Sequence, residues 1–313
     1  MKIGFLFPGQ GAQYVGMGKD LYDEYESARK IYDKVKEVTG IDIAKISFEG
    51  PEEVLNETQN TQLAVLTMSL ALLEILKEND ITAEISAGLS LGEYTALINS
   101  GVISFEEGVK LVQKRGEFMK KLVPAGEWHM AAIIGATDEQ VSEICAKVSN
   151  GFVVPANYNC VGQIAISGEK EAVLEAAQIA GEMGIKKVRM LKTDGPFHTE
   201  KLTDSSNALR EYLEGVTIHP FSAKVIKNLD GEFYADSDNV KDILAKHIIS
   251  PVRFSKTLEN MMSNEIDTFV EIGPGRTLSG FVKRTPTDEP VKILSANNIE
   301  SLEETIKNIK EEK

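Results

Sequence analysis

The chain has 313 residues, room for one large or two ordinary domains, and its 42% hydrophobic and 26% charged content is that of a soluble globular protein. With 34 basic against 48 acidic residues the net charge is −14, which argues against nucleic acid and against an anionic membrane surface as partners. Its two cysteines, Cys145 and Cys160, form no C-x-x-C pair, so no disulfide framework and no metal site is expected, and a cytoplasmic location fits.

In chain order, a strand is expected at 3–7, with too short an apolar run around it for a signal peptide. The glycine-rich loop Gly9-Gln10-Gly11 follows. Helical patterns cover 19–39 and 60–79. The second is apolar on nearly every face and should be buried. Its apolar stretch, 63–76, is broken by Thr67, Ser69 and Glu74 and reads as a core helix, not a membrane span. A β-like run at 85–87 leads into Gly88-Leu89-Ser90-Leu91-Gly92, and a helical pattern follows at 93–99. Ser104-Phe105-Glu106-Glu107 reads as a capping box opening a further helix.

From about residue 125 the pattern changes. Expected are a strand at 130–134, a helix at 138–148, strands at 152–157 and 163–167, a helix at 170–183 and a strand at 187–191. This β-α-β-β-α-β order is that of a ferredoxin-like unit. We expect it at 125–192, inserted into a larger α/β domain of residues 1–124 and 193–313 with a mainly parallel sheet. A strand at 268–272 precedes Gly273-Pro274-Gly275, and a solvated helix at 300–310 closes the chain.

Residues 88–92 form a G-x-S-x-G pentapeptide in a strand–turn–helix context, which lifts a serine hydroxyl above a sheet at a helix N-terminus. Ser90 is therefore a candidate nucleophile, against the plainer reading of a helix-capping serine. A serine needs a base. Of the four histidines, His198 is the best candidate, since it follows the turn-rich Asp194-Gly195-Pro196-Phe197 and precedes a helical run whose N-terminus disfavours an imidazolium. His129 and His219 read as structural. Asp194 and Asp204 lie near His198 in sequence, but neither is assigned as a triad acid, and a backbone carbonyl could orient the imidazole instead. On the helix opening near Phe105, Arg115 falls on the apolar face with Leu111, Val112 and Met119. An inward guanidinium needs an anion: either a structural carboxylate or a substrate carboxylate gripped by two hydrogen bonds. The Gly9-Gln10-Gly11 loop lacks the dinucleotide and P-loop patterns. It is read as bringing a backbone N–H to a reacting carbonyl, with Leu91 supplying the second.

These residues resemble one family, the malonyl-CoA:acyl carrier protein transacylases of bacterial fatty acid synthesis. The resemblance rests on Phe7-Pro8-Gly9-Gln10-Gly11, Gly88 to Tyr94, Gln113-Lys114-Arg115-Gly116 with Met119, Asn157-Tyr158-Asn159 with Gly162-Gln163, Gly195-Pro196-Phe197-His198, Pro251-Val252-Arg253-Phe254 and Glu271-Ile272-Gly273-Pro274-Gly275. It implies an α/β-hydrolase-like large domain with an inserted ferredoxin-like subdomain. By position it makes Ser90 the nucleophile and His198 the base, and gives the oxyanion hole to the backbone N–H groups of Gln10 and Leu91. Arg115, Met119 and Phe197 are substrate-binding positions, and the backbone carbonyl of His247 orients His198. No cofactor is implied beyond a coenzyme A thioester as substrate. Three departures stand out: Leu89 where the family usually has histidine, His247 where it often has glutamine, and Cys160-Val161 in place of Ser-Pro.

The resemblance implies ping-pong transfer from malonyl-CoA to an acyl carrier protein, with a monomer expected. The carrier is acidic in this family, so docking needs a local basic patch. Lys186, Lys187, Arg189 and Lys192 are the candidates, against the plainer reading of a solvated strand edge. Competing readings are a free-standing acyltransferase serving a polyketide synthase, a serine thioesterase, and a non-catalytic docking module.

Overall fold

The computed structural model describes residues 1–193 and 195–312. Two sheets organise it. The first contains β1 (Ile3–Phe7), β2 (Ile85–Gly88), a two-residue β7 (Lys224–Val225), β8 (Thr268–Ile272) and β9 (Lys292–Ala296). Its order is β7-β2-β1-β8-β9, and every pairing is parallel. β1, β2 and β8 are buried along their whole length, as expected of strands covered on both faces by helices. The helix Thr58–Glu78 supplies much of that cover, with Leu63, Leu66, Leu70 and Leu73 in the main core.

The second sheet contains β3 (Trp128–Ile134), β4 (Val153–Cys160), β5 (Gln163–Glu169) and β6 (Lys187–Met190), in the order β4-β5-β3-β6, with every pairing antiparallel. Helices Asp138–Lys147 and Lys170–Glu182 pack on it around a core of their own, with Ile133, Ile144, Ile166 and Val173. The antiparallel sheet is tied by backbone to the segment that precedes the helix Phe254–Ser263. Tyr158 N–H donates to the Val252 carbonyl (2.8 Å), and Val252 N–H donates to the Ala156 carbonyl (2.9 Å). Arg253 lies over the Tyr158 ring, 4.2 Å from its centroid.

Some expectations are corrected. The single helix expected over 19–39 is two, Lys19–Glu24 and Glu26–Thr39, because Tyr25 is extended (φ −103, ψ 122). Helices Ile43–Glu49 and Glu52–Leu55 were not anticipated. The box at Ser104 is half formed: its hydroxyl accepts the Glu107 N–H (3.3 Å) and donates to the Glu107 carboxylate (2.9 Å). A complete capping box stands instead at Thr137 and Gln140. No helix among the described residues is long and apolar enough to cross a membrane.

Candidate active site

Ser90 lies in the turn between β2 and the helix Gly92–Asn99, at φ +53. A Cβ on Gly88 would stand 2.0 Å from the Gly92 carbonyl carbon, and one on Gly92 would stand 2.0 Å from the Phe7 oxygen. Those contacts are with backbone, so neither position admits a side chain. A left-handed serine costs roughly 1–3 kcal/mol, and the surroundings hold it there. Asn228, in the turn after β7, accepts the Ser90 N–H at Oδ1 (2.7 Å) and donates from Nδ2 to the Gly88 carbonyl (2.6 Å).

His198 is buried, also at positive φ (+60), and its Nε2 lies 2.8 Å from Ser90 Oγ. Its Nδ1 lies 3.1 Å from the His247 carbonyl. A carbonyl only accepts, so the proton sits on Nδ1 and Nε2 is free to take the serine proton. The His247 carbonyl belongs to the last turn of the helix Val240–Ile248, where carbonyls lack intrahelical partners and the dipole's negative end favours an imidazolium as it forms. At rest, burial, and after it the Arg115 charge, push the His198 pKa down from 6.5 to about 4, against the His247 and Ser250 backbone contacts that raise it. The neutral imidazole expected from a helix N-terminus is thus present for a different reason. Of the two carboxylates near it in sequence, Asp204 is exposed, and Asp194 lies outside the described residues. His219 is exposed, and His129 is half-buried in β3.

Arg115 projects inward from the helix Phe105–Lys121 and is 1% exposed. Its Nη1 donates to Gln62 Oε1 (2.6 Å), its Nη2 donates to Ser90 Oγ (3.0 Å), and its guanidinium lies 5.1 Å from the Tyr94 ring centroid. Among the described residues no carboxylate lies within ion-pairing distance of it, and its Nε–H has no acceptor. The structural-carboxylate alternative for this guanidinium is therefore not realised there. Burial pushes its pKa down. The result is a desolvated positive charge beside a nucleophile, able to receive a carboxylate with little reorganisation. Met119 is buried on the same helix, its sulfur 3.6 Å from Gln62 Nε2.

Neither the Gln10 nor the Leu91 N–H forms a hydrogen bond among the described residues. The Gln10 loop is held by its neighbour: Gln13 Oε1 accepts the Gly11 N–H (2.8 Å), and Gln13 Nε2 donates to Asn56 (2.8 Å). Phe197 is buried, its ring 2.6 Å from where a Gly195 Cβ would lie. Leu89 packs on the apolar cluster of Leu6, Ile85 and Phe254. Cys160 is buried and Val161 exposed.

The glycines of the Glu271 motif pack on the Gln10 loop, a Cβ on Gly273 standing 2.6 Å from Pro8, while Glu271 itself serves a helix end. Its carboxylate accepts the Leu278 and Ser279 N–H groups (3.0 and 2.7 Å), capping the helix Thr277–Val282. Lys186, Lys187 and Arg189 are exposed on or beside β6, an edge strand. Lys192 is exposed too, but it pairs with Glu52 (3.1 Å). Sequence reasoning missed Gln62 and Asn228. Gln62 ends the polar run 58–62 that opens its helix and carries no signal that sets it apart from its neighbours. Asn228 follows a two-residue strand and carries no local signal.

The description "Acyl transferase domain" matches residues 4–310. A Bacillus subtilis (strain 168) malonyl CoA-acyl carrier protein transacylase is 41% identical over 313 residues, covering 99% of this chain and 98% of the relative. The crystal structure of the Clostridium perfringens malonyl CoA-acyl carrier protein transacylase superposes with a TM-score of 0.93 at 43% identity, covering 99% and 98% of the two chains. A malonyl-transacylase solved in complex with its type II PKS acyl-carrier protein superposes with a TM-score of 0.93 at 32% identity, covering 98% and 100%.

Proposed function

We propose that this chain, which belongs to the acyl transferase domain family, moves the malonyl group of malonyl-CoA to the phosphopantetheine thiol of an acyl carrier protein and so supplies fatty acid synthesis. The observation that carries the reading is Arg115: a buried guanidinium, hydrogen-bonded to the Ser90 hydroxyl and with no carboxylate of the described chain against it.

In the first half-reaction Ser90 Oγ attacks the thioester carbonyl while its proton passes to His198 Nε2. The negative charge forming on the carbonyl oxygen falls to the Gln10 and Leu91 N–H groups, each donor contributing about 3 kcal/mol in comparable sites. Collapse breaks the C–S bond, and coenzyme A leaves with the proton from His198. In the second half-reaction the carrier thiol gives its proton to His198 and attacks the ester, and Ser90 leaves with that proton. Arg115 grips the malonyl carboxylate throughout. A neutral acyl group leaves the guanidinium unpaired and is disfavoured.

The parallel-sheet unit, residues 1–124 and 193–313, then acts as an α/β-hydrolase-like catalytic domain, and residues 125–192 act as a ferredoxin-like subdomain. Met119 and Phe197 line the acyl site, and the His247 carbonyl orients the base. The carrier docks on the exposed basic edge at Lys186, Lys187 and Arg189, with Lys192 contributing less because of its pairing with Glu52. Charge reversal at Lys187 and Arg189 should slow transfer to the carrier and spare acylation by malonyl-CoA. Equal loss in both halves would remove this surface from the proposal.

Intact-mass measurement after separate addition of malonyl-CoA, acetyl-CoA and methylmalonyl-CoA tests the whole reading. A stable adduct with malonyl-CoA alone, absent in Ser90→Ala, is expected. Rapid hydrolysis without carrier would instead make the protein a thioesterase. The solved relative with a type II PKS carrier motivates a second acceptor arm: transfer is measured to a fatty acid carrier and to a polyketide carrier in parallel.

A further inference from the structure

Glu93 is a charged side chain the mechanism above does not use. It is wholly buried, one residue into the helix that follows the nucleophile turn. Its Oε1 accepts the Tyr234 hydroxyl (2.5 Å), and its Oε2 accepts the Asn228 backbone N–H (3.1 Å). The same Oε2 lies 3.3 Å from His247 Nδ1, and the His247 ring stacks on the His198 ring with centroids 5.0 Å apart.

We propose that Glu93 is the positioning residue that holds Ser90 and His198 in register, acting on the serine through Asn228 and on the imidazole through His247. The proposal rests on the assignment of those two residues as nucleophile and base.

Two arms leave the carboxylate. On the first, Glu93 anchors the Asn228 backbone from one side while the Arg253 N–H binds the Asn228 carbonyl from the other (2.8 Å). The Asn228 side chain, so fixed, spans Gly88 and Ser90 and keeps the serine in its left-handed turn. On the second, Glu93 borders the His247 ring, whose own backbone carbonyl receives the His198 Nδ1–H. Ser90 and His198 are 108 residues apart in sequence, so their 2.8 Å contact depends on tertiary ties; Glu93 hydrogen-bonds the Asn228 side of that frame and packs against the His247 side, whose ring nitrogens form no hydrogen bond among the described residues.

A buried carboxylate is unfavourable unless hydrogen-bonded. An apolar residue would fill this space without that penalty, but it could not receive the Asn228 and Tyr234 donors of the segment that follows β7. An amide copies its shape but keeps a single acceptor oxygen, so Glu93→Gln cannot receive both the Tyr234 and the Asn228 donors.

The test is the single-turnover rate and the final extent of acylation by malonyl-CoA in the full-length protein. Glu93→Gln and Asn228→Ala should each slow acylation tenfold or more, with KM for malonyl-CoA changed less than threefold and one acyl group per chain still reached. A purely structural role predicts the reverse, a reduced extent at an unchanged rate. The double variant should be little slower than the worse single variant, because both act through one network. If Glu93→Gln does not fold, Tyr234→Phe removes one donor and should slow acylation two- to fivefold. A rate within twofold of wild type in any folded variant, a reduced extent, or additive losses in the double variant would overturn the proposal. Absence of a malonyl adduct on the wild-type protein would overturn the assigned reaction instead, so the two failures are distinguishable.

Discussion

Ser90 and His198 meet at 2.8 Å, both at positive φ, yet the regions that deliver them are built differently. The serine turn is local. Its pattern is written in five consecutive residues, although Phe7 backbone and the Asn228 side chain hold the finished turn. The histidine region is assembled from afar: its orientation comes from a helix end 49 residues away and its neutrality from burial and Arg115. A local device announces itself as a motif, and a tertiary one shows only in the fold. The two should also fail differently.

The strongest test of the local region is Ser90→Ala, which should abolish the acyl adduct and lower transfer by roughly 10⁴-fold or more. Gly92→Ala comes next. Its Cβ has no room beside the Phe7 carbonyl, so urea unfolding should show a loss of about 3 kcal/mol or more, with activity falling alongside. A folded, active Gly92→Ala protein would mean the turn is less local than its geometry indicates.

Arg115→Gln addresses the space between the regions. Preference for malonyl over acetyl thioester should fall about 100-fold, the worth of hydrogen bonds to a charged group, as measured by kcat/KM for each. The same variant should raise the acid limb of the kcat/KM profile, because the Arg115 charge is one of the two causes holding the His198 pKa down. In the wild type the acid limb of kcat should lie above that of kcat/KM, since a bound carboxylate offsets that charge.

The pH dependence of stability separates two groups of opposite sign. His198 falls from 6.5 to about 4 on folding. Its contribution is complete above 6.5 and is lost as pH drops toward 4, because the unfolded chain binds the proton first. Glu93 rises from 4.5 to about 7. It favours the fold below 4.5 and counts against it increasingly as pH climbs to 7. Glu93→Gln should therefore gain stability relative to wild type as pH rises between those values, by about 3 kcal/mol across the window. Parallel stability curves for the two proteins would remove this account.

The smallest effect belongs to His247→Gln. The backbone carbonyl that holds His198 is unchanged, and the His247 ring nitrogens form no hydrogen bond among the described residues, so acylation should stay within about threefold of wild type. A large loss would mean that the imidazole itself takes part.

Much of this was legible beforehand, for physical reasons. The serine turn, the inward Arg115 and the β-α-β-β-α-β succession of the small unit depend on short-range spacing, and spacing is written in the sequence. Tyr25, which splits a helix pattern, is an extended residue with no glycine or proline to mark it. Asn228 could not be found from its neighbours because its partners lie 138 and 140 residues away. The low His198 pKa was expected, but from a helix dipole; burial dominates it, and burial is a property of the assembled chain.

The paired bonds between Tyr158, Val252 and Ala156 carry one more consequence. Any motion that parts the antiparallel sheet from the segment around Val252 has to rupture them. The amide protons of Tyr158 and Val252 are therefore a built-in clock for that motion. If the two units hinge as separate bodies, these amides exchange with deuterium well before the protons of β1 and β8. If the units breathe only by unfolding together, all exchange at one rate.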